Sequence, residues 1–261
     1  MTPIFEVQAL TVGYHRPIVS NISFSVNRGE LVGILGRNGH GKTTLLRGIT
    51  GDAKRFFGGI RINGQDCTNI STKKRAAFLS LLPQKSYIPQ GITVQEILEM
   101  GCYPNHGIFQ TISAKDREKI SLAAERLNLV PLLKQDCSKL SMGQQQMVLL
   151  CRMMVQDTPV MLLDEPNAAL DYYNTQILFQ TLRALVQEGN KAGVLVLHDP
   201  EMALHWCDRL LILHEGKLIQ DLHIAQSEEQ QIQTALQQLY PKIQVRKSPF
   251  HQGYFCYLQE E

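Results

Sequence analysis

The sequence contains no long hydrophobic run and no closely paired cysteines. Its apolar stretches, such as VMLL and GVLVL, have the length of a β-strand, far short of the roughly 20 apolar residues that a membrane-spanning helix needs. The chain does not open with a basic region followed by an apolar one, so we expect no signal peptide. Its six cysteines are scattered without a CxxC pair. This pattern disfavours a zinc site or a disulfide framework and favours reduced, partly buried thiols in a cytosolic protein.

Neither sign of charge predominates in the sequence. The formal net charge is +2, and charged residues make up only 19% of the 261 residues. This balance predicts neither a broad basic surface for nucleic acid nor an acidic tail. Hydrophobic residues make up 44%, which is enough for a full core in one large domain or in a domain with an inserted lobe.

Strand and helix patterns alternate over most of the chain, which predicts an α/β fold with a parallel sheet and helices on both faces. The alternation is interrupted by a stretch that is helical throughout, so we expect a separate helical subdomain there. The predicted division is a core with a β subdomain over 1–84 and 157–225, a helical subdomain over 85–156, and a C-terminal helix with short strands over 226–261.

One segment carries a complete phosphate-binding pattern. Residues 36–43 read GRNGHGKT, which fits G-x-x-x-x-G-K-[ST], and they lie between a strand and a helical stretch. Glycines let the backbone approach a ligand, successive N–H groups then point at phosphate oxygens, and the following helix adds its positive end. Lys42 is expected to reach the outer phosphates and the Thr43 hydroxyl to ligate Mg²⁺. The predicted nucleotide-binding residues here are Gly36, Arg37, Asn38, Gly39, His40, Gly41, Lys42, Thr43 and Thr44.

Two carboxylates follow one another at the end of the apolar strand VMLLD. Successive side chains of a strand point in opposite directions, so Asp164 and Glu165 need not share a role. Asp164 suits the role of a metal partner that contacts Mg²⁺ through the water molecules bound to the ion. Glu165 suits the role of a general base beside the γ-phosphate. The alternative is a surface turn with two solvated acids.

The segment KLSMGQQQMVLLCRMM begins with a serine and a glycine at the start of an amphipathic helix. Ser141 could cap this helix, and the free N–H groups there form another anion site. Alone, the segment is an ordinary helix start. Its place shortly before the strand that ends at Asp164 is what makes it informative.

In their order and spacing, these motifs resemble those of the ATP-binding subunit of ABC transporters, over about residues 4–220. LSMGQ at 140–144 resembles the LSGGQ signature, and NAALD at 167–171 resembles the D-loop. Tyr14 resembles the aromatic residue that stacks on adenine. Gln84 resembles the glutamine that links the nucleotide site to the membrane subunits, and His198 resembles the switch histidine that contacts the γ-phosphate.

The resemblance implies a P-loop NTPase of the ABC type, with a mainly parallel sheet core, an N-terminal antiparallel β part and an inserted helical subdomain. ATP and Mg²⁺ are the implied cofactors. Glu165, His198 and Gln84 would be catalytic, and Thr43, Gln84 and Asp164 would hold the metal. A head-to-tail homodimer would place each ATP between one chain's P-loop and the other chain's Ser141, Gly143 and Gln144.

Two further segments, TVQEILEMGCYPNHG and HDPEMALHWCDRLLILHEGKLI, resemble the ATPases of metal-chelate importers, which serve iron-siderophore, haem or cobalamin uptake. This resemblance implies integral membrane permease partners, an indirect link to a substrate-binding protein and no nucleic acid. It also implies a peripheral location at the cytoplasmic face of the inner membrane.

The chain departs from the family pattern at three positions. Met142 replaces the first signature glycine, Gln145 stands where arginine is usual, and Ala168 stands where the D-loop commonly has serine. Because Ser141 and Gly143 remain, γ-phosphate binding is expected to survive, with an altered turnover.

Two alternative functions stay open at this point. A soluble ABC ATPase could serve a scaffold, as in iron–sulfur cluster assembly. A metal or chelate binding module without turnover is disfavoured by intact Lys42, Asp164 and Glu165. A DNA-repair or chromosome ATPase of this superfamily would carry a long coiled-coil insertion, which the sequence lacks.

Overall fold

The computed structural model describes residues 2–106, 111–248 and 253–259. Within these ranges the strands are β1 (Phe5–Gly13), β2 (Pro17–Val26), β3 (Leu31–Leu35), β4 (Lys54–Ile62), β5 (Gln65–Asp66), β6 (Leu79–Leu82), β7 (Val160–Asp164), β8 (Ala192–Val196), β9 (Arg209–His214), β10 (Lys217–His223), β11 (Ile243–Lys247) and β12 (Tyr254–Leu258). The helices are α1 (Lys42–Thr50), α2 (Thr72–Arg75), α3 (Val94–Glu99), α4 (Tyr103–His106), α5 (Ala114–Arg126), α6 (Met142–Gln156), α7 (Tyr172–Glu188), α8 (Pro200–Trp206) and α9 (Glu229–Gln237).

The central sheet has six strands in the order β10-β9-β3-β8-β7-β6. Neighbours from β9 to β6 run parallel, and β10 pairs antiparallel with β9. Every residue of β3, β7 and β8 is buried, because the sheet is covered on both faces and its strands need apolar side chains on both. The predicted, mainly parallel α/β core is confirmed.

A second, antiparallel sheet in the order β2-β1-β4-β5 covers one side of α1. Its core residues, such as Phe5, Ile22 and Ile60, join the residues from one face of the central sheet in a single apolar cluster. The helix lies very close to the sheet at Gly48, where an added Cβ would come within 2.5 Å of the Val12 side chain. The antiparallel β part expected near the N-terminus is confirmed.

Between β6 and β7 the described chain is helical, from α3 to α6. Thr93 and Ser113 each begin a helix with a reciprocal capping box, which satisfies N–H groups that would otherwise lack partners. Val94, Ile97 and Leu98 of α3 are buried in the same apolar cluster as the α6 side chains. All four helices fall within residues 85–156, where the sequence predicts a helical subdomain.

The C-terminal part comprises α9 and the antiparallel pair β11–β12. Gln233 of α9 accepts a hydrogen bond from the Val245 backbone N–H at 3.1 Å, which fixes β11 against this helix. On the other side, the Cys256 N–H of β12 donates to Glu201 of α8 at 3.2 Å. Residues 249–252, between these two strands, lie outside the described ranges.

All six cysteines are free thiols, five of them buried and Cys256 half-buried. Burial raises the pKa of Cys151 and of Cys256 to about 12 and that of Cys137 to about 11. Across the described ranges, we find no helix with the length and apolar character needed to traverse a bilayer.

Candidate ATP-binding and hydrolysis site

The site lies at the carboxyl ends of four adjacent parallel strands, β3, β8, β7 and β6. The glycine-rich loop follows β3, and Gln84, Glu165 and His198 lie just after β6, β7 and β8. Residues that are distant in sequence meet here because parallel strands deliver their carboxyl ends to the same edge of the sheet.

The glycine-rich loop has the backbone form that a phosphate cradle requires. Gly39 and Gly41 have φ angles of 82° and 96°, a region that favours glycine. A Cβ at Gly41 would also come within 2.5 Å of the Val19 side chain. The helix α1 begins directly afterwards and has no acidic residue in its first turn, so its positive end is free for an anion.

An open cleft of about 570 Å³ lies above this loop. Its lining brings together predicted site residues from all four strand ends, with one apolar residue that was not predicted, Ile18. The lining residues are Ile18, Asn38, Gly39, Gly41, Lys42, Thr43, Thr44, Gln84, Glu165 and His198.

Lys42 is folded back onto its own loop. Its Nζ donates to the backbone oxygens of Gly36 at 2.6 Å and Arg37 at 3.1 Å. Burial lowers the pKa of Lys42, while the charges of Glu165 and Asp164 act to raise it. A cation held by neutral carbonyl groups next to an open cleft can exchange these weak partners for phosphate oxygens, with which its hydrogen bonds are charge-assisted on both sides.

Asp164 ends β7 as a buried carboxylate with an incomplete set of partners. Its Oδ1 is buried and has no hydrogen-bond partner among the described residues. Burial raises the pKa of Asp164, against a hydrogen bond from the Thr43 side chain that lowers it. An orphaned carboxylate oxygen beside a threonine hydroxyl matches the hard oxygen ligands that Mg²⁺ prefers, so the residues present fit this ion.

Glu165 joins two of the other predicted catalytic residues. One carboxylate oxygen accepts a hydrogen bond from Gln84 Nε2 at 2.5 Å, and the other contacts His198 Nε2. Its backbone has a φ of 50°, which is unusual for a glutamate, and its N–H donates to the Val196 carbonyl at 3.1 Å. Glu165 lines the cleft, whereas the Asp164 carboxylate is buried next to Thr43 and lies outside the lining.

Tyr14, the predicted adenine partner, lies outside the lining of this cleft. The residue is 41% exposed, and its hydroxyl accepts a hydrogen bond from Arg47 of α1 at 3.1 Å. His40 also turns away from the cleft, and its ring packs edge-on against His214 with centroids 4.7 Å apart.

The signature residues form a separate surface at the start of α6. Ser141 Oγ accepts from the Gln144 N–H at 3.2 Å, and Gln144 Oε1 accepts from the Ser141 N–H at 3.0 Å. Met142 is 61% exposed. Ser141, Gly143 and Gln144 do not line the P-loop cleft, so a single chain does not bring the two predicted halves of the nucleotide site together.

Tyr240 is a neighbour of the site that sequence reasoning missed. Its hydroxyl donates to the backbone oxygen of His198 at 3.1 Å, linking the segment after α9 to the loop that carries this histidine. Burial raises the pKa of Tyr240, and the charge of Asp199 adds to the effect. No local pattern around Tyr240 indicates this contact. Ile18 was missed for the same reason.

Fold and site together define a P-loop ATPase in which the Glu165 carboxylate contacts both a glutamine and a histidine. A family model described as "ABC transporter" matches residues 19–168, and the chain belongs to this family. It is therefore an ATP-binding, ATP-hydrolysing subunit.

Relatives with different cargoes are similar to the chain. It is 35% identical to the SkfA peptide export ATP-binding protein SkfE of Bacillus subtilis (strain 168), covering 87% of this chain and 92% of that protein. It is 30% identical to the iron(3+)-hydroxamate import ATP-binding protein FhuC of the same strain, covering 83% and 81%. A solved metal-chelate type ABC transporter in an inward-facing conformation matches with a TM-score of 0.81 and 24% identity, covering 99% of this chain and 97% of that one.

Proposed function

We propose that the chain powers the import of a metal chelate, of the iron-siderophore, haem or cobalamin type, through membrane permease partners. The observation that carries coupling to a partner is the 2.5 Å hydrogen bond between Gln84 and Glu165, because it joins the hydrolytic carboxylate to the segment leading into the helical region. The similarity to FhuC supports an iron chelate as cargo. The similarity to SkfE makes peptide export the result that the transport test must exclude.

Hydrolysis follows from the residues around the γ-phosphate position. On ATP binding, Lys42 would leave the Gly36 and Arg37 carbonyls for the outer phosphates. Glu165 would accept a proton from the attacking water, whose oxygen bonds to the γ-phosphorus as the bond to the β-phosphate oxygen breaks, giving ADP and phosphate. His198 and Gln84 would orient the carboxylate through the hydrogen bonds already formed.

Magnesium would be held by Thr43, Asp164 and Gln84. When bound, it supplies positive charge that offsets the negative charge of the phosphate oxygens. The orphaned Oδ1 of Asp164 supports this assignment.

A head-to-tail homodimer would complete each nucleotide site. The exposed start of α6, with Ser141, Gly143 and Gln144, would contact the ATP held by the P-loop of the other chain. Two helix N-termini on opposite sides of one triphosphate attract its negative charge, so closure would require ATP and hydrolysis would release it. Tyr14 would then stack on adenine at the open edge of the cleft.

The permease contact would lie on the helical subdomain, over about residues 85–140. Tyr87 in the segment after Gln84 is 90% exposed, and Met100 at the end of α3 is also exposed. Exposed apolar side chains next to the glutamine support a partner contact there. The chain would accordingly lie at the cytoplasmic face of the inner membrane, with the substrate-binding protein on the other side acting through the permease.

Uptake measurements in the source organism test this proposal. A strain lacking the chain is complemented with wild type, Glu165→Gln or Glu188→Gln, the last being an exposed glutamate at the end of α7. Wild type and Glu188→Gln should restore accumulation of one radiolabelled metal chelate, and Glu165→Gln should not. Unchanged metal-chelate uptake in the deletion strain, or restored export of a peptide instead, would refute import.

A further inference from the structure

A second cavity lies at the opposite end of α1 from the P-loop. It has a volume of about 350 Å³ and shares no lining residue with the ATP cleft. The nine residues of α1 separate the two by about 14 Å of helix. Its polar lining consists of Lys54, Arg55, Thr68, Ser71, Thr72 and Arg75.

Arg75 is the buried charge of this cavity. The residue is only 7% exposed, and its Nη2 donates to the carbonyl oxygens of Cys67, Thr68 and Ile70 at 3.1 to 3.4 Å. Its Nε is buried and has no hydrogen-bond partner among the described residues. Within the described part of the chain, no carboxylate lies within ion-pair distance of Arg75. A buried guanidinium that has only neutral acceptors favours an anion beside it.

The two rim cations, Arg55 and Lys54, also form no ion pair with any residue that the structure describes. Arg55 donates to the Gly58 carbonyl at 2.9 Å and to Asn69 at 2.6 Å, both neutral acceptors. Lys54 lies over the Phe56 ring, 4.9 Å from its centroid. Among the described residues, no acidic side chain lines the cavity.

Three sources of negative charge lie nearby and partly oppose this positive charge: Asp52, Asp66 and the C-terminal end of α1. The charge of Asp66, which lies outside the cavity lining, reaches Arg55. Asp52, whose charge reaches Arg75, is outside the lining and accepts a hydrogen bond from Thr50 at 2.6 Å. Arg75 Nη1 lies against Gly51, the residue directly after α1, where any Cβ would collide with it. A helix C-terminus carries about half a negative elementary charge, which one guanidinium more than offsets. The three cations Lys54, Arg55 and Arg75 together exceed the two carboxylates and the helix end, so a net positive charge remains to attract a ligand.

We propose that this cavity binds a phosphate group. Phosphate matches the donor set, because Arg55 can exchange its two neutral acceptors for phosphate oxygens and the Ser71 and Thr72 hydroxyls can donate to the same ion. A water molecule takes up about 30 Å³ in the liquid, so the cavity of about 350 Å³ is several times larger than a phosphate group, which has only five heavy atoms. The cavity therefore has room for free phosphate or for a small phosphate monoester, and the experiment separates these sources.

Calorimetry on the full chain tests the site. The ATP cleft is first saturated with a non-hydrolysable ATP analogue and Mg²⁺, so that it takes up no phosphate. Inorganic phosphate and glycerol 3-phosphate are then titrated separately. Saturable binding of one equivalent is expected. Tighter binding of the monoester would assign the cavity to phosphate esters, and equal affinity or tighter phosphate binding would assign it to free phosphate.

Variants locate the binding. Arg55→Gln and Lys54→Gln change exposed rim residues and should each weaken binding by at least about threefold. Arg75→Lys keeps the charge but loses the donors that hold the Cys67, Thr68 and Ile70 carbonyls in the cavity wall, and it should weaken binding by about tenfold. Lys217→Gln, on the exposed surface of β10, is the matched control and should bind as wild type does. Absence of saturable binding in the wild type, or equal affinity in wild type and Arg55→Gln, would overturn the proposal even if Arg75→Lys fails to fold.

Discussion

We expect Glu165→Gln to separate ATP binding from hydrolysis. In the wild type both carboxylate oxygens are acceptors, one for Gln84 Nε2 at 2.5 Å and one facing His198 Nε2. The amide of the variant keeps the shape but offers one acceptor and one donor. Its NH₂ group can face an unprotonated His198 nitrogen, or Gln84 can rotate to present its oxygen. The hydrogen bonds can therefore be retained, so we expect little change in folding stability.

The rate should change far more than the structure. Losing a general base costs about 10² to 10⁴ in rate. At about 1.4 kcal/mol for each factor of ten, this is roughly 3 to 5 kcal/mol of the activation barrier. ATP binding should persist, because Lys42, Thr43 and Asp164 are untouched. A closed dimer that cannot hydrolyse ATP should then outlive gel filtration.

The assay combines phosphate release with gel filtration. Glu165→Gln should elute as a dimer with ATP and Mg²⁺ and as a monomer with ADP, while releasing phosphate at least about 100-fold more slowly than wild type. Glu188→Gln should match the wild type in both measurements. Near-normal turnover of Glu165→Gln without an ATP-dependent shift would leave the nucleotide site standing but remove Glu165 from the mechanism.

Three further substitutions give measurable results. Asp164→Asn removes a buried charge, so it should raise the free energy of unfolding of the nucleotide-free chain at pH 7 by about 1 kcal/mol in denaturant titrations. Burial raises the pKa of Asp164 in the folded chain, so this gain should shrink as the pH falls through that pKa and the carboxylate of the wild type becomes protonated. A difference in stability that does not depend on pH would contradict the reasoning. Met142→Gly should raise the ATPase rate or dimer affinity, because its exposed side chain no longer obstructs a phosphate; a clear loss of activity would indicate specific packing. Tyr240→Phe should lower kcat about fivefold with KM for ATP unchanged, because one hydrogen bond of about 1 kcal/mol to the His198 loop is lost, and an unchanged kcat would rule out this positioning role.

The sequence predicts those parts of the site whose signals are local. The P-loop is defined within eight residues, and VMLLD is recognisable as a buried strand that ends in a carboxylate. Both could be predicted because each is determined by the residue types within one short, contiguous segment. The strand order β3-β8-β7-β6 has no such local signal, because it depends on which strands pair across the sheet, yet it is what brings Gln84, Glu165 and His198 together.

Long-range and strained features escaped prediction. Tyr240 contacts the His198 loop across 42 positions of sequence, and neither residue's neighbours signal the pairing. Glu165 adopts a left-handed backbone that glutamate seldom takes, imposed by the junction between β7 and the following turn. The helix α5 ends at Arg126, because Asn128 has a φ of 55° and cannot continue it.

Because its thiols are largely buried, the wild-type chain should react little with thiol-specific labels, which suits site-directed labelling. With pKa values of about 11 for Cys137 and about 12 for Cys151, fewer than about one thiol in a thousand is ionised at pH 8. Maleimides react with the thiolate, so both sites should stay unlabelled while the fold is intact. The pKa of Cys256 is also about 12, but this thiol is only half-buried, so it is the one of the six to replace first. A pair of spin labels or fluorophores, one on α5 and one on β10, could then report movement between the helices and the central sheet during turnover without rebuilding the core.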